Sequence, residues 1–461
     1  MAWFPIWFLL ALLAVAAGPK PLLATEPVAP ASGSRLGTLH VAAPAGETRA
    51  ILFLVSDLDG WNEPMEQAAT RLSAAGHGVI GIDLATWLDA LAADPADTDC
   101  HYLVGDLEAA GKLMQRTWRS SRYQLGIVAG LGAGGTLAAA ALANAPPATL
   151  AGAVALDRAE RVRSRLPFCP AGAAGGDAAG GFAYPPPIQQ DGWLVDARWH
   201  AADPAASWPP MARSASVTLD PRNDLGTALA RAIDAGLVLW APPGDEGAPL
   251  ADLPLVELPA EGPGHTFALV LSGDGGWRDL DKSIADYFVA HGLPTLGLDS
   301  LRYFWKARQP AEVAGDLDRI VRHYRRQWGK DRVALVGYSF GADVLPAVWP
   351  LLAPQTQAAI TQVSLLALGV SADFEFHLTD WVGWASPDAR PIPPDLARMD
   401  RSRVQCFFGA DEPADETGCR SAEANGAELV ERPGGHHFDG DYAAIAARIL
   451  AGLGQRSGGT W

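Results

Sequence analysis

The sequence predicts an α/β fold made twice: tandem domains, each a doubly wound, mostly parallel sheet. Three observations carry this. Strand-like apolar runs alternate with helix-patterned stretches, which is the signature of βαβ units. A long internal repeat brings back the same landmarks at the same spacing. Each copy then reaches a Gly-rich turn directly after a β-rich run.

The repeat opens on a strand and a short loop. Ile51 to Val55 leads into Ser-Asp-Leu-Asp-Gly-Trp (56–61), and Phe267 to Leu271 leads into Ser-Gly-Asp-Gly-Gly-Trp (272–277). Trp61 is followed 22 residues on by Asp83 at the end of the strand-like Gly78 to Ile82, and Trp277 is followed 22 residues on by Asp299 at the end of Leu293 to Leu298. A helix-patterned stretch follows in each copy, through Asp106-Leu107-Glu108 and Asp316-Leu317-Asp318, and ends near Trp118 and Trp328. The next strand enters Gly130-Leu131-Gly132-Ala133-Gly134 in the first copy and Gly337-Tyr338-Ser339-Phe340-Gly341 in the second.

At 461 residues and 49% hydrophobic, the chain is long enough for two full cores. The first domain is expected over 36–240, a Pro/Gly-rich linker over 241–263 and the second domain over 264–456; Leu253 to Leu258 could add a strand within that linker. Ala171 to Pro187, rich in Gly, Ala and Pro, reads as a surface loop of the first domain. Residues 1–24 have signal-peptide anatomy: an apolar run from Trp3 to Ala17, shorter than a spanning helix, followed by small residues and a Pro-rich stretch. No Lys or Arg precedes that run. Export by this segment, or its retention as a weak membrane anchor, is the expectation.

Four cysteines agree with export, since an even number at paired positions suits an oxidising compartment. The expected bridges are Cys100 to Cys169 and Cys406 to Cys419. A formal net charge of -17 opposes encounter with nucleic acid, and no nucleic-acid partner is expected. A neutral or cationic ligand fits better.

Gly-x-Ser-x-Gly at 337–341 is a nucleophile-elbow pattern, and its context is right: the β-rich Arg332 to Val336 precedes it and a helix can begin at Ala342. The sharp strand-to-helix turn leaves no room for side chains beside the serine, hence the glycines. This predicts an α/β-hydrolase-like domain with Ser339 as nucleophile. A serine needs a base and an orienting acid, which follow it in the chain order Ser, acid, His in this fold. Asp411 and Glu412, just past the strand Arg403 to Phe408 and Gly409, are the candidate acids, with Asp415 more distant. Gly434-Gly435-His436-His437 supplies the base, His436 first and His437 as the alternative.

An oxyanion hole needs the N–H after the nucleophile, here that of Phe340, and one from the loop after an early strand, here Asp274 or Gly275. The Asp274 side chain, with Trp277, is a candidate for substrate contact. The first copy has Gly132 where the second has Ser339 and no His-containing loop closing it, so it is predicted to be a degenerate, non-catalytic domain. No Cys/His/carboxylate cluster has metal-ligand spacing, and no cofactor is implied.

Together, Ser-Gly-Asp-Gly-Gly-Trp, Gly-Tyr-Ser-Phe-Gly-Ala-Asp-Val-Leu-Pro (337–346) and Gly-Gly-His-His-Phe-Asp-Gly-Asp-Tyr (434–442) resemble the AcvB/VirJ family of bacterial virulence-associated hydrolases. The C-terminal half is similar to the VirJ form and the two-copy arrangement to the longer AcvB form. The resemblance implies a periplasmic enzyme that hydrolyses aminoacylated phosphatidylglycerol at the membrane surface, chiefly the lysyl form, with links to secretion-system components. It maps the nucleophile to Ser339, the histidine to His436-His437 and the acid to Asp411-Glu412. A general periplasmic esterase, lipase or thioesterase, and a secretion-associated binding protein on a hydrolase scaffold, are the alternatives.

Overall fold

The structure is a computed structural model and describes residues 26–29, 34–146, 148–169, 174–177, 180–184, 192–199, 213–239, 250–377, 389–421 and 424–457. The predicted leader, 1–24, lies outside them.

Two sheets carry the described chain. The first runs, in spatial order, Glu26–Val28, Leu39–Ala42, His77–Ile82, Ala50–Val55, Gly126–Leu131, Leu150–Leu156, Trp193–Arg198 and Ser214–Thr218. Leu39–Ala42 pairs antiparallel with both of its neighbours, and all the other pairings are parallel. The second runs Leu255–Leu258, Thr295–Leu298, Thr266–Leu271, Arg332–Tyr338, Ile360–Leu366, Val404–Gly409 and Glu428–Arg432, with only Leu255–Leu258 antiparallel. The second sheet therefore begins at Leu255, inside the stretch expected as linker. Part of the expected surface loop is also ordered, because Ala174–Asp177 and Gly181–Ala183 join Arg161–Val162 in a small antiparallel sheet.

The central strands are buried on both faces, which is why they read as continuous apolar runs rather than alternating ones. Helices cover both faces and divide each domain's core into two clusters.

The repeated landmarks turn out to be ties at the carboxyl ends of the strands. Ser56 Oγ accepts from Leu84 N (3.0 Å) and Ser272 Oγ from Ser300 N (2.9 Å), joining neighbouring strand ends. Asp83 caps the helix Leu84–Ala93 by accepting from Thr86 N and also accepts from Trp61 N, both at 2.8 Å. Asp299 caps Ser300–Tyr303 through Arg302 N (3.1 Å). The two tryptophans lie flat against a glycine of the next strand: a Cβ on Gly81 would fall 2.2 Å from Trp61, and one on Gly297 would fall 2.4 Å from Trp277. The constant spacing of the repeat thus has a packing cause.

Both predicted disulfides are present, with Cα atoms 5.1 Å apart for Cys100–Cys169 and 5.5 Å for Cys406–Cys419. They suit an oxidising compartment. No helix among the described residues is long and apolar enough to cross a membrane.

The domains meet along one face of the helix Val104–Thr117 and the segment that follows it. Tyr123 and Leu125 pack with Leu301, Trp305 and Phe376. Trp305 Nε1 donates to Ser120 O (3.0 Å), and the Arg116 guanidinium lies 3.9 Å over the Trp305 ring.

Candidate active site

Ser339 ends the strand Arg332–Tyr338 and begins the helix Phe340–Val348 with φ 50° and ψ -121°. That left-handed conformation costs a non-Gly residue about 1–3 kcal/mol, and the fit around it accounts for its persistence. Ser339 N–H donates to Leu366 O (2.9 Å), anchoring the turn to the neighbouring strand. A Cβ on Gly337 would meet Gly341 O at 2.5 Å, and one on Gly341 would meet Leu271 O at 2.4 Å. Only glycine fits at either flank.

The candidate base and acid arrive on the loops after the last two strands. His436 Nε2 lies 2.9 Å from Ser339 Oγ, and His436 Nδ1 lies 3.2 Å from Glu412 Oε1. Glu412 Oε2 accepts from Gly409 N (2.7 Å), so one carboxylate oxygen is fixed by backbone while the other faces the imidazole. Of the pairs left open by the sequence, the structure brings His436 and Glu412 together with Ser339. Asp411 is exposed and is tied in through its backbone N–H to Gly434 O (3.0 Å). His437 Nδ1 instead meets the Tyr338 hydroxyl at 2.9 Å, and Asp415 is exposed.

Charge placement follows from these contacts. Burial alone would lower the His436 imidazole, but its hydrogen bond to Glu412 and the negative charges of Glu412, Asp343 and Asp274 outweigh that and hold it above the ordinary histidine value. Burial would raise Glu412, yet His436 and the Gly409 N–H bring it below the ordinary glutamate value. Burial pushes Asp343 up to about 7, against the opposing pull of the Gly369 N–H and His436.

Gly276 N–H donates to Gly273 O (3.1 Å), closing a turn whose central residues are Asp274 and Gly275. A Cβ on Gly273 would lie 3.6 Å from Ser339 Cβ, so this turn borders the nucleophile position. Trp277 departs from expectation. It is 2% exposed and belongs to the core against Gly297, away from any substrate, because its indole fills the space that glycine leaves. Asp343 escaped the sequence reading although it stands within the quoted 337–346 motif; an Asp four residues past a nucleophile on a helix carries no distinctive signal. Among the described residues, no group of His, Cys, Asp and Glu could hold a metal ion.

The first domain preserves the elbow without the serine. Gly132 has φ 58° and ψ -120°, and its N–H donates to Leu156 O (2.9 Å). Beside it, Asp57 Oδ1 accepts from both Ala133 N and Leu58 N at 2.9 Å. A Cβ on Gly132 would fall 2.2 Å from Asp57 Oδ2. A carboxylate therefore occupies the space beside this elbow. Asp57 stands where the second copy has Gly273, a difference that was open to view in the aligned repeats.

A parallel sheet, a Gly-flanked serine elbow, and acid and base on later strand-end loops define an α/β-hydrolase scaffold. Residues 265–457 match the family described as bacterial virulence protein (VirJ), the family that the motifs of this stretch resemble. No curated protein matches the chain. Among solved structures, the chain is similar to a lipase-esterase related protein from Clostridium acetobutylicum (15% identity, 43% of this chain and 98% of that one, TM-score 0.32). It is similar also to MenH from S. aureus (12%, 44% and 98%, 0.34) and to Est1E from Butyrivibrio proteoclasticus (10%, 44% and 93%, 0.33).

Proposed function

We propose that the second domain is a periplasmic serine carboxylic-ester hydrolase that cleaves the aminoacyl ester of lysyl-phosphatidylglycerol through an acyl-enzyme on Ser339. The observation that carries the reading is the hydrogen-bonded chain from Ser339 Oγ through His436 to Glu412. His436 Nε2 takes the serine proton as Oγ adds to the ester carbonyl, and Glu412 stabilises the resulting imidazolium. Collapse of the tetrahedral intermediate breaks the bond to the glycerol oxygen, which leaves with the proton from His436. Water then adds to the acyl-enzyme, giving its proton to His436, and the second collapse releases lysine and returns the proton to Ser339.

The oxyanion is held by the N–H groups of Phe340 and Asp274. The first domain supports this assignment, since its Asp57 carboxylate accepts from Ala133 and Leu58, the residues that correspond to Phe340 and Asp274 in the repeat. A negatively charged oxygen already sits between the equivalent donors there.

A cationic acyl group is supported by the carboxylates near His436. The turn that carries Asp274 borders Ser339, which favours its carboxylate as the partner of an α-ammonium next to the reacting carbonyl. The chain's net charge of -17 repels anionic phosphatidylglycerol but attracts the lysylated, net-positive form. The test is hydrolysis in vesicles containing lysyl-phosphatidylglycerol, with a neutral acyl ester of the same lipid as competitor. Release of lysine ahead of the neutral ester is expected; faster turnover of the neutral ester would assign a general esterase instead.

A further inference from the structure

We propose that the first domain, which lacks a nucleophile, sets the shape of the second domain's oxyanion loop through one stripe of its helix Val104–Thr117, with Glu108 and Arg278 as the positioning pair. The inference rests on the assignment of Asp274 N–H as an oxyanion donor.

Glu108, Lys112 and Arg116 are spaced by four and so share a face of that helix. The opposite face, through Leu107, Ala110 and Met114, enters the first domain's own core. A charged stripe on a helix that flanks a sheet ordinarily meets water. Here Glu108 is 6% exposed and Lys112 0%, because the second domain covers them.

Each member of the stripe meets the second domain. Glu108 forms an ion pair with Arg278. Arg116 pairs with Glu375 (3.6 Å), donates to Phe376 O and stacks on Trp305. Lys112 is near the Phe376 ring, 6.0 Å from its centroid.

Arg278 carries the effect to the loop. A Cβ on Gly275 would fall 2.8 Å from Arg278 Nε and 2.9 Å from one of its terminal nitrogens, so the guanidinium covers the backbone of Gly275 where a side chain would otherwise stand. The turn 273–276 has three glycines and little side-chain packing of its own to fix it. Glu108 holds the guanidinium in place from the other domain. Removing one partner of a buried ion pair leaves the other charge uncompensated, so the pair couples loop shape to domain docking.

The test uses the full chain with Glu108→Gln, which keeps the shape of the side chain and removes its charge, and Glu108→Asp, which restores the charge. In an active wild-type background, Glu108→Gln is expected to lower kcat for ester hydrolysis about 10-fold or more with little change in KM, and Glu108→Asp to recover part of it. Hydrogen exchange at amides 273–277 supplies a readout independent of activity, and faster exchange in Glu108→Gln is expected. Unchanged kcat in an active background overturns the inference, whatever the exchange shows. If the wild type cleaves no ester, the proposed function fails by itself. Exchange at 273–277 then decides the positioning: acceleration supports it and unchanged protection overturns it. Should Glu108→Gln fail to fold, Arg278→Lys is read in the same two assays.

Discussion

Gly132 and Ser339 share one backbone conformation, φ/ψ of 58°/-120° and 50°/-121°, at corresponding elbows of two domains. The first domain has the turn without a nucleophile, and the Asp57 carboxylate fills the space beside it. Restoring a serine alone should therefore be costly. Gly132→Ser is expected to destabilise by roughly 1–3 kcal/mol through overpacking and the left-handed backbone. Combining it with Asp57→Gly, the arrangement of the second copy, should recover about 1 kcal/mol or more in a double-mutant cycle. Denaturant unfolding measures it, and strict additivity would mean that Asp57 is not the obstacle.

Glu412 and Asp411 are adjacent in sequence and unequal in space. Glu412→Gln should lower kcat by about 10²-fold or more, since the glutamine no longer stabilises the imidazolium. Asp411→Asn should leave kcat unchanged, because only its backbone is tied to the site. Ester turnover under saturating substrate separates the two.

How much of this was legible in the residues depends on where the cause lies. The elbow, the chain order of its partners and both disulfides follow from local pattern and spacing, and all reappear in the structure. The acid was ambiguous because both candidates lie in one short loop, and only the Gly409 N–H, fixed by the strand pairing, selects Glu412. Trp277 read as a binding aromatic because its glycine partner, Gly297, is remote in sequence. The stripe of Glu108, Lys112 and Arg116 looks like any solvated helix face until a second domain is laid over it.

The pH dependence has a definite sign. His436 must be neutral to accept the serine proton, and it is held above the ordinary histidine value by Glu412, Asp343 and Asp274 against the effect of burial. The acidic limb of kcat/KM should accordingly rise with pH through an apparent pKa above 6.5. Glu412→Gln removes the largest of the raising influences, so residual activity should show that limb displaced to lower pH. A limb that stays in place would place the titrating group elsewhere.

The Cys406–Cys419 bridge closes the loop that carries Glu412, with 13 residues of separation. Replacing both cysteines with serine should destabilise the chain by roughly 2–4 kcal/mol, read by denaturant unfolding. It should also lower kcat more than the same change at Cys100 and Cys169, which lie in the domain without a nucleophile. Equal losses of kcat from the two replacements would show that the loop does not depend on its bridge.

The central claim is that one activated hydroxyl does the chemistry, and fluorophosphonate labelling read by mass spectrometry tests it most directly. The expected result is a single adduct mapped to Ser339, absent in Ser339→Ala and strongly slowed in His436→Ala. A folded wild-type chain that takes up no label, or an adduct on another residue that persists in Ser339→Ala, would contradict the account.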